Sequence, residues 1–343
     1  MKKIKVGING FGRIGRAFLK VAWERPEIEI VAVNDLGSVE NMAYLLKYDT
    51  AYGKWKHEDI KHEGDYIVIN GKKIKVLAEK DPSKLPWKDL NIDVVVESTG
   101  LFVTYAGAKA HLDAGAKKVV VTAPMKDEPQ AGIEGATILL GINEEKFSDC
   151  VITSNASCTT NAGSPLIAIL DEAIGIEKAL LNTVHALTNS QPTVDSINKH
   201  NMREGRAGGH NIVPTSTGAA IAVTKAFPKL ENLFDGISIR VPMIAGSIVD
   251  VTFIAKRNTT VEEINEILKK AAKNKRWEGI FTVTEEELVS SDILGSSYGS
   301  IADLKLTRVV GGNLVKVMGW YDNEMGYTYT LVEHVIKAGG TIN

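Results

Sequence analysis

The chain has 343 residues, 44% hydrophobic and 24% charged, with a formal net charge of −2. That length fits about two domains rather than one ordinary core, and the near-neutral charge, without long basic runs, excludes nucleic acid as the main partner. The only cysteines, Cys150 and Cys158, exclude a disulfide scaffold and leave room for a reactive thiol in a reducing cytoplasm, and no apolar run reaches the ~18 residues of a membrane span.

The N-terminal MKKIKVGINGFG lacks an apolar h-region and is not expected to be a signal peptide. IKVGIN, a helix with Ile14, Phe18 and Val21 on one face, and IEIVAVND predict a βαβ unit of about 35 residues. Continuous apolar runs follow at residues 93–99 (DVVVEST) and 118–124 (KVVVTAP), with helix-like AKAHLDAG between them. Such runs predict strands covered on both faces, hence an α/β, doubly wound parallel sheet. After residue 151 the pattern changes to longer alternating strands, GISIRVP (236–242) and SIVDVTFIAKR (247–257). The latter puts Ile248, Asp250, Thr252 and Ile254 on one face and Val249, Val251 and Phe253 on the other. With helices such as VEEINEILKKAAK, this predicts an α+β domain with a largely antiparallel sheet. A last helix is predicted over residues 328–338, stopping at Gly339 and Gly340.

Gly10-Phe11-Gly12-Arg13-Ile14-Gly15 fits G-x-G-x-x-G between a strand and a helix, with Asp35 20 residues beyond Gly15. Glycines there let backbone approach a pyrophosphate at the positive helix end. Asp35 would accept the ribose hydroxyls of NAD and repel the extra phosphate of NADP. The plainer alternative is a tight turn with Asp35 as a loop or cap residue.

In SNASCTTN a strand ends and a helix begins, so Cys158 stands at a helix N-terminus, where partial positive charge lowers a thiol pKa. Ser157, Thr159 and Thr160 are hydroxyls able to cap the helix or bind an anion. Pro165 must fall in an early turn or kink the helix, and Cys150 reads as a core cysteine. His185, 27 residues on in a strand-like stretch, can pair with the thiolate and act as general acid and base; the alternative is a core histidine bonded to backbone. His57, His62, His111, His200, His210 and His334 show no metal-ligand spacing and read as surface or structural.

GINGFGRIGR, VND, STG, SNASCTTN, VHALTN, PTSTGAA, RVP and WYDNEMGY occur in the order and spacing of glyceraldehyde-3-phosphate dehydrogenases, which the chain resembles over essentially its whole length. The resemblance implies an NAD-binding Rossmann domain of residues 1–157 and 322–343 and a catalytic domain of residues 158–321. It implies Cys158 as nucleophile and His185 as base. NAD contacts would come from Asn9, Gly10, Phe11, Gly12, Arg13, Ile14, Asp35, Lys80, Thr99, Gly100, Thr122, Asn323 and Tyr327, with Lys80 near the adenine and Asn323 on the nicotinamide carboxamide. Thr188 and Arg240 would bind the phosphate of the triose phosphate; Ser157, Thr159, Thr217 and Gly218 would bind inorganic phosphate. Residues 186–208 would form a loop reaching a neighbouring subunit's cofactor in a homotetramer. The implied reaction is oxidative phosphorylation of D-glyceraldehyde 3-phosphate to 1,3-bisphosphoglycerate through a Cys158 thioester, as in glycolysis and gluconeogenesis. Neither a metal nor a membrane is implied.

The sequence departs from the family pattern in four places. The loop reads Arg203-Glu204-Gly205-Arg206 where a second arginine is usual, so Glu204 is expected to weaken inorganic phosphate binding, with Arg203 or Arg206 compensating. Thr188-Asn189-Ser190 replaces the TND triplet. Ser196-Ile197 replaces a Leu-Pro typical of NAD-specific members, and Ala162 replaces the second cysteine of SCTTNC. Competing readings are an erythrose 4-phosphate dehydrogenase with water as acyl acceptor, and an inactive cofactor-binding regulator.

Overall fold

The computed structural model describes residues 3–57, 59–199 and 201–342; His200 lies outside them. The chain forms two compact units, one of Met1–Ile138, Asn143–Ala156 and Leu331–Asn343, the other of Leu139–Ile142 and Ser157–Thr330.

In the first unit β1 (Ile4–Asn9), α1 (Arg13–Ala22), β2 (Ile28–Asn34) and α2 (Val39–Lys47) realise the βαβ pattern, followed by a short ribbon, β3 (Tyr48–Asp49) with β4 (Gly53–Lys54). Next come β5 (Ile60–Glu63), β6 (Tyr66–Ile69) and β7 (Lys72–Leu77), then β8 (Val94–Glu97), α3 (Tyr105–Asp113), β9 (Lys118–Val121), β10 (Gly135–Thr137) and β11 (Ile152–Ser154). Among the described residues these make a nine-stranded sheet ordered β10-β11-β9-β8-β1-β2-β7-β6-β5. All pairs from β10 to β7 are parallel, and β5 and β6 add an antiparallel edge. Val94, Val95 and Val96 are all fully buried, as continuous apolar runs require when helices cover both faces. Ser38 caps α2 and Thr104 caps α3, each accepting a backbone N–H of the first turn.

The second unit is built round α4 (Cys158–Ile174), which packs on β12 (Ile176–His185), β15 (Ser247–Ala255), β17 (Ser300–Asp303) and β19 (Leu314–Tyr321). With β13 (Val213–Ser216), β14 (Phe234–Arg240), β16 (Phe281–Thr284) and β18 (Arg308–Val310) these form a sheet ordered β13-β14-β12-β15-β19-β17-β16, with β18 paired to β19. Only β12–β14 and β16–β17 are parallel among the described pairs. β15 alternates as its sequence predicts, with Val249, Val251 and Phe253 buried. α5 (Ala219–Ala226) and α6 (Val261–Ala272) pack against α4. Pro165 falls inside α4, where it removes the N–H that would bond the Asn161 carbonyl.

The last helix, α7 (Met325–Gly340), is longer at both ends than its sequence predicts. Asp322 starts it early, its Oδ1 accepting the N–H of Glu324 and of Met325, both at 2.9 Å. Gly339 is a packing residue rather than a stop: a Cβ there would lie 2.6 Å from the Ile4 side chain. No helix of the described residues is long and apolar enough to cross a membrane.

Candidate active site

The cofactor cradle lies in the first unit, where β1 turns into α1. Gly10 has φ +93°, and a Cβ on Gly15 would stand 2.1 Å from the Gly10 carbonyl oxygen. The turn can therefore close only with glycine at both places. Gly12 precedes α1 with no side-chain cap, and a Cβ on it would meet no atom within 4 Å. The helix N-terminus is thus left bare on one side, as a pyrophosphate requires, and the residues fit NAD. Asp35 accepts the Phe11 N–H at 2.7 Å and the Gly37 N–H at 3.0 Å, so it braces the turn while remaining half-buried at the end of β2. Arg13 pairs with Asp49 at 3.2 Å, and Lys80 and Gly100 are exposed.

Three expected cofactor residues are too enclosed to act through their side chains. Asn9 is 2% exposed, and its amide is engaged by Glu97 at 2.6 Å and by Asn34 at 2.7 Å. It supports the cradle from inside the sheet. Phe11 and Tyr327 are each 3% exposed; Phe11 contributes its backbone, to Asp35 and to Arg16. Thr99 is half-buried with its hydroxyl donated to Glu97, and the half-buried Thr122 donates its N–H to the Glu97 carbonyl at 3.0 Å.

The candidate nucleophile, Cys158, lies in the second unit. Ser157 caps α4, its Oγ accepting the Thr160 N–H at 3.0 Å. That places Cys158 as the first helical residue, facing the end of β12. There Cys158 Sγ stands 3.3 Å from His185 Nε2. His185 pairs in register with Arg240 of β14, and its Nδ1 lies 2.7 Å from the Ala186 carbonyl oxygen, which also accepts Arg240 Nη1 at 3.3 Å. When Nδ1–H donates to Ala186, Nε2 presents a lone pair to the thiol, the tautomer a general base needs. Burial and the neighbouring Arg240 charge lower the His185 pKa to about 3, so the ring is neutral.

The thiol itself departs from the expectation. The helix end does favour thiolate, and so do Arg240 and the N–H groups of Cys158 and Thr159, but burial of Sγ outweighs them and raises the pKa. Cys158 keeps part of its surface, whereas Cys150 is a buried core thiol, also raised by burial.

Thr159 is not available as a phosphate hydroxyl. It is 4% exposed, with Oγ1 2.9 Å from Tyr321 Oη, which is 2.7 Å from Thr183 Oγ1. Thr183 donates to the Ile248 carbonyl, so Tyr321 donates to Thr183 and Thr159 donates to Tyr321. Tyr321 also packs edge-on to His185 at 5.9 Å. Sequence reasoning missed Tyr321 and Thr183; Tyr321 lies within the WYDNEMGY motif, but nothing in its type announced a bond to Thr159.

The remaining phosphate candidates are distributed as follows. Ser157 is engaged as cap and by Thr160 Oγ1 at 2.7 Å. Thr188 is exposed, with its hydroxyl 3.0 Å from Ser190 Oγ. Thr217 accepts the Ala219 N–H at 3.2 Å, and exposed Gly218 precedes α5 with no side-chain cap. Arg240 Nε is buried without a hydrogen-bond partner among the described residues. Arg206 is committed to Asp195 at 2.9 Å, Arg203 is exposed, and the Glu204 carboxylate accepts the Thr215 hydroxyl.

Residues 4–105 match the NAD binding domain of the glyceraldehyde 3-phosphate dehydrogenase family, and residues 157–323 match its C-terminal domain. The chain is 46% identical over 342 residues to glyceraldehyde-3-phosphate dehydrogenase of Streptomyces coelicolor, covering 99% of both. It is 44% identical over 340 residues to glyceraldehyde-3-phosphate dehydrogenase 3 of Saccharomyces cerevisiae, covering 98% of this chain and 100% of that one. With both family domains present in order and identity sustained from end to end, the chain belongs to the glyceraldehyde-3-phosphate dehydrogenase family.

Proposed function

We propose that this protein oxidises D-glyceraldehyde 3-phosphate with NAD and transfers the acyl group to inorganic phosphate, yielding 1,3-bisphosphoglycerate. The observation that carries the reading is the 3.3 Å contact between Cys158 Sγ and His185 Nε2. Nucleophile and base are already within reach of each other.

His185 Nε2 takes the thiol proton as Sγ adds to the aldehyde carbon and returns it to the oxygen of the thiohemiacetal. It removes that proton again as the carbonyl re-forms. Bound NAD supplies the hydride acceptor; Gly10, Gly12, Arg13 and Ile14 would hold its pyrophosphate, Asp35 its ribose, and Lys80, Thr99, Gly100 and Thr122 would complete the pocket. Asn323 Oδ1 accepts the Gly246 N–H at 3.0 Å and the Ser247 hydroxyl at 3.1 Å, which directs its Nδ2 away from them as a donor for a carboxamide oxygen. Phosphate then attacks the thioester carbon, forming the acyl phosphate and releasing the Cys158 thiolate, which recovers its proton from His185. The backbone N–H of Cys158, in the first turn of α4, would stabilise the oxyanion as it develops.

Arg240, with an unpartnered buried Nε, supports a site for the substrate's phosphate, joined by Thr188. Thr217 and Gly218 at the start of α5, with Arg203, are the proposed inorganic phosphate ligands; Ser157, engaged as the α4 cap and by Thr160, is not among them. We assign cofactor binding to residues 1–157 and 322–343 and catalysis to residues 158–321. A cytoplasmic homotetramer is the proposed working form. Exposure of Val194, Ile197 and Met202 at 71%, 97% and 91% in the 186–208 loop supports a subunit contact there.

The test is stoichiometry. NADH formation from D-glyceraldehyde 3-phosphate should consume one phosphate per NADH. NADH release without phosphate consumption would instead support water as acceptor.

A further inference from the structure

We infer that Glu97 is a positioning residue for the cofactor cradle, fixing the glycine turn and the 98–100 loop to one buried carboxylate. The inference rests on the cradle being an NAD site. Glu97 ends β8 and is 1% exposed. A buried carboxylate is costly unless its lone pairs are satisfied. Here Oε2 accepts Asn9 Nδ2 at 2.6 Å and His111 Nε2 at 2.9 Å, while Oε1 accepts the Thr99 N–H at 2.8 Å and the Thr99 hydroxyl.

The orientation of His111 follows from its other nitrogen. Trp87 Nε1–H, a group that can only donate, points at His111 Nδ1 from 3.0 Å. Nδ1 must accept, so the proton of the neutral ring sits on Nε2 and aims at Glu97. Trp87 and His111 are both fully buried, which keeps this relay dry.

The groups that Glu97 gathers are the walls of the cradle. Asn9 immediately precedes Gly10 and also accepts Asn34 Nδ2 at 2.7 Å, and Asn34 immediately precedes Asp35. A Cβ on Gly10 would meet the Thr99 nitrogen and the Ser98 carbonyl carbon, each at 2.7 Å, and Ser98 Oγ donates to the Gly10 carbonyl at 2.7 Å. An amide cannot substitute for this carboxylate. Glutamine offers one oxygen and an NH2 that faces two of the four donors, so either the Asn9–His111 side or the Thr99 side must let go.

The experiment titrates NAD into the full-length wild type, Glu97→Gln and His111→Leu by calorimetry. In parallel it measures KM for NAD and for the aldehyde, and the alkylation rate of Cys158. In Glu97→Gln the Kd and KM for NAD are expected to rise about tenfold. The aldehyde KM and the alkylation rate are expected to stay within about twofold, and His111→Leu to move NAD binding in the same direction by less. Unchanged NAD affinity in a folded Glu97→Gln, or a parallel rise of both KM values, would overturn the inference. If Glu97→Gln does not fold, His111→Leu decides by the same criteria. A wild type that does not bind NAD would instead overturn the cofactor reading itself.

Discussion

Thr159 Oγ1 lies 2.9 Å from Tyr321 Oη, which ties the first turn of the nucleophile's helix to the last residue of β19. Because Thr183 donates onward to a carbonyl, Tyr321 is the middle of a one-way chain of hydroxyls. Tyr321→Phe strands the Thr159 hydroxyl in a buried site, so it is expected to cost about 1–3 kcal/mol of stability. Urea unfolding of the variant checks this, and a midpoint equal to the wild type's would mean the chain is not closed in solution.

The pH dependence of Cys158 follows from burial. Its thiol pKa is raised above its ordinary value of 9.0, so the thiolate fraction is small at neutral pH and grows as pH rises through the shifted value. His185, lowered to about 3, stays neutral over the whole working range and adds no inflection there. Iodoacetamide inactivation of the free enzyme is therefore expected to rise with pH in a single step above 9.0. Arg240 stabilises the thiolate, so Arg240→Gln should move that step still higher. An inflection near pH 6 would contradict the neutral pair.

His185→Asn removes the proton acceptor next to Sγ while leaving the cradle in the other unit alone. The first-turnover burst of NADH is expected to slow by about a hundredfold to ten-thousandfold, with NAD affinity little changed. A burst at the wild-type rate would remove His185 from the mechanism.

Glu204 bears on the second half of the reaction. Its carboxylate holds Thr215, two residues before Thr217. Glu204→Gln keeps hydrogen-bonding capacity and removes the charge, and the phosphate KM is expected to fall about twofold to fivefold, as for a partly screened charge. An unchanged KM would place the carboxylate beyond the field felt by phosphate.

Much of the fold was legible because burial leaves a pattern. The run Val94-Val95-Val96 announces a strand covered on both faces, and the alternation in β15 announces one covered on a single face. The β5–β7 edge went unread although it carries a hairpin signal, Asn70-Gly71, with φ of +47° and +80°. Lys61 on β5 suits an edge strand, but with Lys72, Lys73 and Lys75 on β7 it dilutes the apolar alternation. At the candidate site, residue types singled out Cys158 and His185, which lie 3.3 Å apart, and Asp35, which accepts the Phe11 N–H of the glycine turn. They could not say which hydroxyls were engaged, because serine and threonine at a helix start serve equally as cap or anion donor. Ser157 and Thr159 are occupied within the protein, and only distances reveal that. The thiol pKa was misjudged for a related reason: helix position is local, whereas the burial that overrides it is tertiary.

Gly339 resting on Ile4 has a consequence for how the chain is made. The unit that opens the sequence takes in residues from Leu331 onward, while the second unit is drawn almost entirely from one uninterrupted stretch, Ser157–Thr330. On the ribosome the earlier segments of the first unit emerge before Ser157 yet must wait, with Ile4 uncovered, until the residues from Leu331 onward have followed the long stretch of the second unit. The second unit, begun later, is the first to have all its parts. A chaperone that shields nascent apolar strands would be needed longer at β1 than around the cysteine.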